Sequence, residues 1–270
     1  MCSSDLRDLI LTRVQERTAA EWMAAFDANG NVAAEPIVTT DQAIEHRDIA
    51  PALVEVDDPR HGHTTQIGPI ADLEATPGSA TGAQRLGSAP DWSEGNRPTG
   101  ANPTTSEQDG ENRPGRPLEG ITILDLSTII AGPLGMSMLA DLGARVIKIE
   151  PFGGDPFRQM LVEGRMAVKT NNGKESICVD LKTEAGQAIV HRLAAGADVL
   201  VHNFRGPVPA KLGIDPETLH AVNPDLVWAA VSGYHPASES ALRPATHPVM
   251  GASTGGVAHQ AGDALTRDCP

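Results

Sequence analysis

In the first part of the chain, apolar residues recur with helical spacing, and a stretch in which apolar and polar residues alternate follows. Its first apolar positions recur three and four residues apart: Leu6, Leu9, Ile10 and Val14. This spacing predicts an amphipathic helix. Thr18 and Glu21 have the spacing of a capping box, which predicts a second helix ending near Gly30. Residues 39–49 predict a short helix, and residues 52–68 (ALVEVDDPRHGHTTQIG) predict a hairpin.

The middle of the chain has no such periodicity. Residues 78–116 are rich in Gly, Pro, Ser, Asn and Thr, and their only large apolar side chains are Leu86 and Trp92. A segment of this composition buries too little apolar surface to offset its ordering entropy. We therefore predict a disordered linker between two structured parts, residues 1–77 and residues 117–270.

From residue 117 onward, apolar runs alternate with helical patterns. The predicted strands are ITILDLS, ARVIKIE, ESICVDL, ADVLVHNF and LVWAAVSGY. The predicted helices are GPLGMSMLADLG, a helix from Thr183 to Ala195, and DPETLHAVNP. This alternation predicts an α/β fold with a doubly wound, parallel, Rossmann-like sheet and right-handed crossovers.

Ligands of such sheets bind where the strands end at their carboxyl side. The loops at that edge are 127–133, 150–154, 180–183, 202–207 and 232–235. The first contains Ala131-Gly132-Pro133 and opens a helix, so it is either a tight strand-to-helix turn or an anion site. Four polar side chains follow other strands: Lys182, Asn203, Arg205 and Lys211. They are either solvated surface groups or contacts for a phosphate-rich ligand.

The composition of the chain argues against several classes of function. The formal charge of −14 disfavours general binding of nucleic acid or of anionic membranes. No apolar run approaches the length of a membrane span, about 20 residues. Cys2, Cys178 and Cys269 are widely separated and form no zinc pattern, so we expect reduced thiols, no metal and a cytoplasmic protein.

Long motifs then point to one family. The segment PLEGITILDLSTIIAGPLGMSMLADLGARVIKIEPFGGDPFR closely resembles the opening of the family III CoA-transferases, the CaiB/BaiF family. The resemblance continues through NGKESICVDLKTEAGQAIVHRLAAGADVLVHNFRGPVPAKLGID and LHAVNPDLVWAAVSGY, and covers residues 116–256. Residues 17–62 resemble the closing segment of the same family. The order is therefore inverted, with the family tail preceding the family head.

Two arrangements explain that order. The chain spans the junction of two fused family copies, or it is a circularly permuted short protein. We expect the first, with residues 1–77 as the end of one copy and residues 117–270 as the incomplete, CoA-binding beginning of the next. Nothing in the sequence requires the first part to pack on the second.

The resemblance also implies roles for individual residues. Ile129 and Ile130 are expected to contact coenzyme A, and Lys182 and Lys211 to face its phosphates. Asn203 matches a family asparagine, and Arg205 belongs to the same set of CoA-binding candidates. Two positions depart from the family pattern: His202 replaces a glutamate, and Pro151 stands where some members have an arginine.

The resemblance also bears on the catalytic groups. Family transferases use a nucleophilic aspartate, which is expected beyond Pro270, so this chain is expected to lack it. Asp263 and Asp268 lie too early and are not assigned as the nucleophile. His247 lies near the position of the histidine in related racemases, although a loop histidine without a role is the alternative.

The implied function is transfer of coenzyme A between carboxylic acids through aspartyl anhydride and thioester intermediates. Its substrates would be acyl-CoA and a carboxylic acid, with coenzyme A as the only cofactor-like group. The full protein would form a homodimer or an intramolecular pseudo-dimer. The alternatives are a 2-methylacyl-CoA racemase of the same family and a non-catalytic, CoA-binding half of a fused protein.

Overall fold

The computed structural model describes residues 3–81, 115–160 and 167–261. Most of the predicted linker, together with Asp263 and Asp268, therefore lies outside the described residues. Contacts divide the chain into two compact units. The first unit combines Met1–Asp91 with Gly233–Pro270, and the second is Trp92–Ser232.

Between residues 122 and 230, one or two helices separate each strand from the next, whereas three α-helices and two strands come before in the described part of the chain. In chain order they are α1 Ser3–Val14, α2 Ala19–Asn29, α3 Thr40–Ile44, β1 Leu53–Asp58, β2 Gly62–Ile67, β3 Thr122–Asp125, α4 Ala131–Asp141, β4 Arg145–Glu150, α5 Ala167–Asn171, β5 Lys174–Cys178, α6 Glu184–Ala194, β6 Val199–His202, α7 Val208–Lys211, α8 Pro216–His220, β7 Val227–Ala230, α9 His247–Ser253 and α10 Gly256–Ala261. Short 3₁₀ turns occupy Ala50–Ala52 and Pro156–Arg158.

The second unit is built on a parallel five-stranded sheet. Its strand order is β5-β4-β3-β6-β7, and each neighbouring pair is parallel. The chain therefore moves outward from β3 in one direction and then returns to add β6 and β7 on the other side. This order confirms the predicted doubly wound sheet, and it places the topological switch point between β3 and β6.

Helices cover both faces of this sheet. Neighbouring residues of a strand face opposite ways, so the apolar strands present apolar side chains to both layers of helices. Ile123 belongs to one buried cluster, which includes Ala140 of α4. Leu124 belongs to another, which includes Val190 of α6 and Leu219 of α8. Two apolar layers therefore hold the sheet, as the near-continuous apolar runs of its strands require.

Local signals predicted in the first unit are present. Thr18 and Glu21 form a reciprocal capping box at α2, and Gly30 ends the helix in the left-handed region at φ 70°. β1 and β2 form the predicted antiparallel hairpin. The apolar positions of α1 are about half exposed, from 49% at Leu9 to 52% at Val14.

A polar network joins distant segments inside the first unit. Glu35 accepts hydrogen bonds from the Tyr234 hydroxyl at 2.7 Å and from Arg243 at 3.0 Å. Asp48 accepts from the backbone and hydroxyl of Ser240 at 3.2 and 2.8 Å. Residues resembling the family tail therefore pack on residues from the later part of the segment that resembles the family head.

Among the helices of the described residues, we find none with the length and apolar character that crossing a membrane demands.

Candidate functional site

The turn between β3 and α4, residues 127–130, has an unusual backbone. Ile129 adopts φ 72°, and it is the one non-glycine residue with positive φ in the described part of the chain. A β-branched side chain disfavours this left-handed region, so surrounding contacts must hold it. Ile130 precedes α4 without a side-chain capping hydrogen bond, and its side chain is 42% exposed.

Three side chains bind this turn. Both carboxylate oxygens of Asp155 accept from the Ile129 N–H at 3.2 Å. Lys148 donates from Nζ to the Ser127 carbonyl at 2.8 Å. Asn203, directly after β6, accepts from the Thr128 N–H and donates to the Thr128 carbonyl, each at 3.0 Å. The Asn203 bonds cross the switch point, so they join the two halves of the sheet where a ligand crevice is expected.

Beneath the turn lies a buried charge network, defined here as Asp125, Lys148, Asp155 and Lys174. Lys174 Nζ lies 2.7 Å from Asp125, and Lys148 Nζ lies 3.1 Å from Asp155 and 3.8 Å from Asp125. All four side chains are at most 1% exposed. Burial lowers the pKa of Lys174, and the neighbouring Asp125 opposes that effect. The two lysines balance the two carboxylates.

The structure explains why a glycine stands at position 132, in the Ala-Gly-Pro turn. A Cβ atom at this position would collide with the Ser127 side chain and lie 2.5 Å from Ser127 Oγ. Ser127 is itself buried, and its hydroxyl donates to Asp125. The turn therefore brings α4 against the end of β3 so closely that only glycine fits at position 132.

Glu150 ends β4 and forms a second polar cluster. Arg158 donates to its two oxygens at 2.8 and 2.9 Å, Ser176 donates to it, and the Asp155 N–H donates at 2.9 Å. Burial by itself would raise the pKa of Glu150, but these hydrogen bonds outweigh it and lower the pKa from 4.5 to about 2. The 150–158 segment, which carries Asp155, is therefore tied to the sheet by an ionised carboxylate.

We expect Glu150→Gln to reduce stability at neutral pH and to flatten the acid branch of the stability profile. Because the folded-state pKa is depressed, the contribution of Glu150 is complete above pH 4.5 and is lost as pH falls towards 2. Urea unfolding at a series of pH values measures it. Glu175→Gln is the control, since the Glu175 side chain is 56% exposed in its pair with Arg145. Equal pH profiles for the two variants would contradict the assignment.

His202, which stands where the family pattern has a glutamate, lies in a buried and largely apolar setting. It is 1% exposed and lies against Trp228, with ring centroids 4.6 Å apart. Its Nδ1 accepts from the Phe204 N–H at 3.0 Å, while Nε2 has no hydrogen-bond partner within the described ranges. Burial lowers the pKa of His202 to about 4, so the ring is neutral at physiological pH.

The structure does not bring all of the residues proposed from sequence together. Ile129 and Asn203 both belong to the region of the 127–130 turn, where Asn203 hydrogen-bonds to the Thr128 backbone. Lys182, in the loop after β5, and Lys211, at the end of α7, are exposed. Arg205 is exposed in the loop after β6. His247 is exposed at the start of α9 and belongs to the first unit.

Sequence reasoning missed the buried charge network. Lys148 lies inside the apolar run VIKIE, and Asp125 inside ILDLS. A charge within a strand that is buried on both faces requires a partner, so these two positions carried a usable signal. Asp155 had a weaker signal, because its neighbours in GGDP are typical of any loop.

The first unit contains another group of potential ligands. One ligand atom each from Glu35, His46 and Asp48 lies within 4.8 Å of the others. Arg243 and Tyr234 already donate to Glu35, so a cation at this position would face a guanidinium. We interpret the group as part of the polar network that joins the segments of the first unit.

Comparison with known proteins agrees with this architecture. The sequence profile of CoA-transferase family III matches residues 118–268, and the chain belongs to this family. It is 38% identical over 151 residues to the "probable fatty acyl-CoA transferase Rv3272" of Mycobacterium tuberculosis, covering 53% of this chain and 38% of that protein. It is 42% identical over 130 residues to a succinate–glutarate CoA-transferase of Agrobacterium fabrum, covering 44% of this chain and 32% of that protein.

A solved structure is also similar. The crystal structure of Rv3272 from Mycobacterium tuberculosis has a TM-score of 0.50 and 37% identity, with 58% of this chain and 43% of that chain covered. The matched part spans between about a third and two fifths of the length of the two curated relatives.

Proposed function

We propose that the second unit binds coenzyme A at the switch point between β3 and β6, and that the whole protein transfers coenzyme A between carboxylic acids. The observation that carries this proposal is the clamped 127–130 turn, joined across the switch point by Asn203. Doubly wound sheets bind ligands in this crevice. Membership in CoA-transferase family III supports coenzyme A as the ligand.

The charges near that edge suit a phosphate-rich ligand. Lys182 and Lys211 are both exposed. Lys182 lies in the loop after β5, and Lys211 lies on α7, the helix that follows β6. Exposed lysines bind phosphates as mobile point charges. In a chain with a formal charge of −14, such local cations give an anionic ligand a preferred position.

Asn203 then acts through the turn. Its side-chain oxygen and nitrogen are both engaged with the Thr128 backbone. We propose that Asn203 positions the turn, while Ile129 and Ile130 provide its contact with the ligand.

The proposed reaction follows the family mechanism. A carboxylate attacks the acyl-CoA thioester, forming a mixed anhydride and releasing CoA thiolate. The thiolate attacks the anhydride at the enzyme's carbonyl, giving an enzyme thioester and the donor acid. The acceptor carboxylate repeats the two steps in reverse and leaves as acyl-CoA. The nucleophilic aspartate is predicted to follow Gly255-Gly256 in the full protein, beyond Pro270.

Calorimetric titration of coenzyme A into the purified chain tests the binding step. We expect Lys182→Ala and Lys211→Ala each to weaken binding about tenfold, because each removes a charge-assisted phosphate contact. Lys169→Ala is the matched control, since Lys169 is an exposed lysine paired with Asp141 at 2.9 Å. Absence of binding by a chain that circular dichroism shows to be folded would overturn the proposal, as would equal losses in all three variants.

A further inference from the structure

The Asp155 carboxylate is buried, and its contacts are with groups inside the protein. It is 1% exposed, and besides the Ile129 N–H it accepts from the Phe157 N–H at 2.9 Å and lies 3.1 Å from Lys148 Nζ. Its contact with Ile129 joins positions 26 residues apart in the chain.

The Ile129 backbone needs such a contact. Ile129 can reach negative φ by a flip of the peptide between Thr128 and Ile129, which turns the Ile129 N–H away from Asp155 and the Thr128 carbonyl away from Asn203. Two side chains therefore resist the flip, Asp155 at the Ile129 N–H and Asn203 at the Thr128 carbonyl. A flip would turn the backbone groups of the 127–130 turn and so change the surface that the turn presents.

We propose that Asp155 is a positioning residue: it holds Ile129 in the left-handed conformation and so presents the 127–130 turn to the ligand. The inference rests on the proposed function for the identity of that ligand, coenzyme A. The positioning itself rests on the contacts and the backbone angle of the turn. The competing explanation is that Asp155 only balances the charge of Lys148.

Replacing Ile129 separates these explanations. Glycine adopts positive φ without steric cost, so the Ile129→Gly variant no longer depends on Asp155 to keep the turn's conformation. Ile129→Ala removes most of the side chain but keeps Cβ, and with it a preference for negative φ. It is therefore the matched control for loss of the side chain alone.

The experiment introduces Asp155→Ala, which removes the acceptor of the Ile129 N–H, into wild type, Ile129→Ala and Ile129→Gly, and measures the Kd of coenzyme A. We expect Asp155→Ala to weaken binding about tenfold in the first two backgrounds and about threefold or less in the third. The same factor in all three would reduce Asp155 to a charge partner of Lys148 and overturn the proposal.

A second readout needs no ligand. Hydrogen exchange of the Ile129 amide should be accelerated by Asp155→Ala, and the fall in melting temperature should be smaller in the Ile129→Gly background. If wild type binds no coenzyme A, the proposed function fails while these measurements still decide the positioning role. Unfolding of Asp155→Ala in the wild-type and Ile129→Ala backgrounds, but not with Ile129→Gly, supports the proposal; unfolding in all three overturns it.

Discussion

Replacing Lys148 with methionine is expected to destabilise the second unit by about 3–5 kcal/mol, the usual effect of leaving buried charges uncompensated. Lys148 and Asp155 are each 1% exposed, and their charged atoms are 3.1 Å apart. Methionine keeps the length of the side chain but removes its charge. Asp155 would then be buried without its cation, and the Ser127 carbonyl would lose its donor.

Urea unfolding of the second unit measures this effect. Lys169→Met is the matched control, because the Lys169 side chain is 58% exposed in its pair with Asp141. We expect its loss of stability to be about 1 kcal/mol or less, as for surface ion pairs. Similar losses in the two variants would show that burial does not govern the Lys148 contacts.

A double-mutant cycle tests the coupling directly. Because Lys174 and Asp125 form their own close pair, Lys148→Met with Asp155→Asn removes one charge of each sign from the buried charge network. We expect the double variant to lose less stability than the sum of the single losses. Strict additivity would contradict a direct interaction.

Gly132→Ala is the second change with a large expected effect. The added Cβ would meet Ser127, which is buried and hydrogen-bonded to Asp125. Ser127 cannot move away without breaking that bond, so we expect a loss of about 1–3 kcal/mol from overpacking and weaker binding of coenzyme A.

Gly135→Ala is the control on the same helix. A Cβ at Gly135 meets nothing within 4 Å. Alanine also favours helix over glycine by roughly 1 kcal/mol, so this variant should match or exceed wild-type stability. Thermal unfolding of both variants gives the comparison. If both alanines stabilise α4, the proposed close approach at Ser127 is wrong.

Several parts of the fold were predictable because their signals are local. Thr18 forms a side-chain hydrogen bond at the start of α2, as its spacing from Glu21 indicates, and Thr183 caps the start of the helix predicted from that residue. The alternation of strands and helices after residue 117 predicted the parallel sheet. Such signals involve residues a few positions apart, where chain geometry alone determines the contact.

The candidate site was only partly predictable. The strand-end rule and the family resemblance selected Ile129 and Asn203. They did not reveal that Asn203 binds Thr128, or that Asp155 holds Ile129. These contacts join residues 75 and 26 positions apart. Their partners depend on which strands are neighbours, and strand order is not written in any local pattern.

By itself, the sequence determined the capped helices, the hairpin, the parallel sheet and the family. Each follows from hydrophobic periodicity, turn chemistry or collinear motifs within one stretch of chain. Only the tertiary structure decided the positive φ of Ile129, the pairing of Lys148 with Asp155, and the contact of Glu35 with Arg243. A strained angle and a buried charge are stable only when distant segments compensate them, so their location depends on the packed fold.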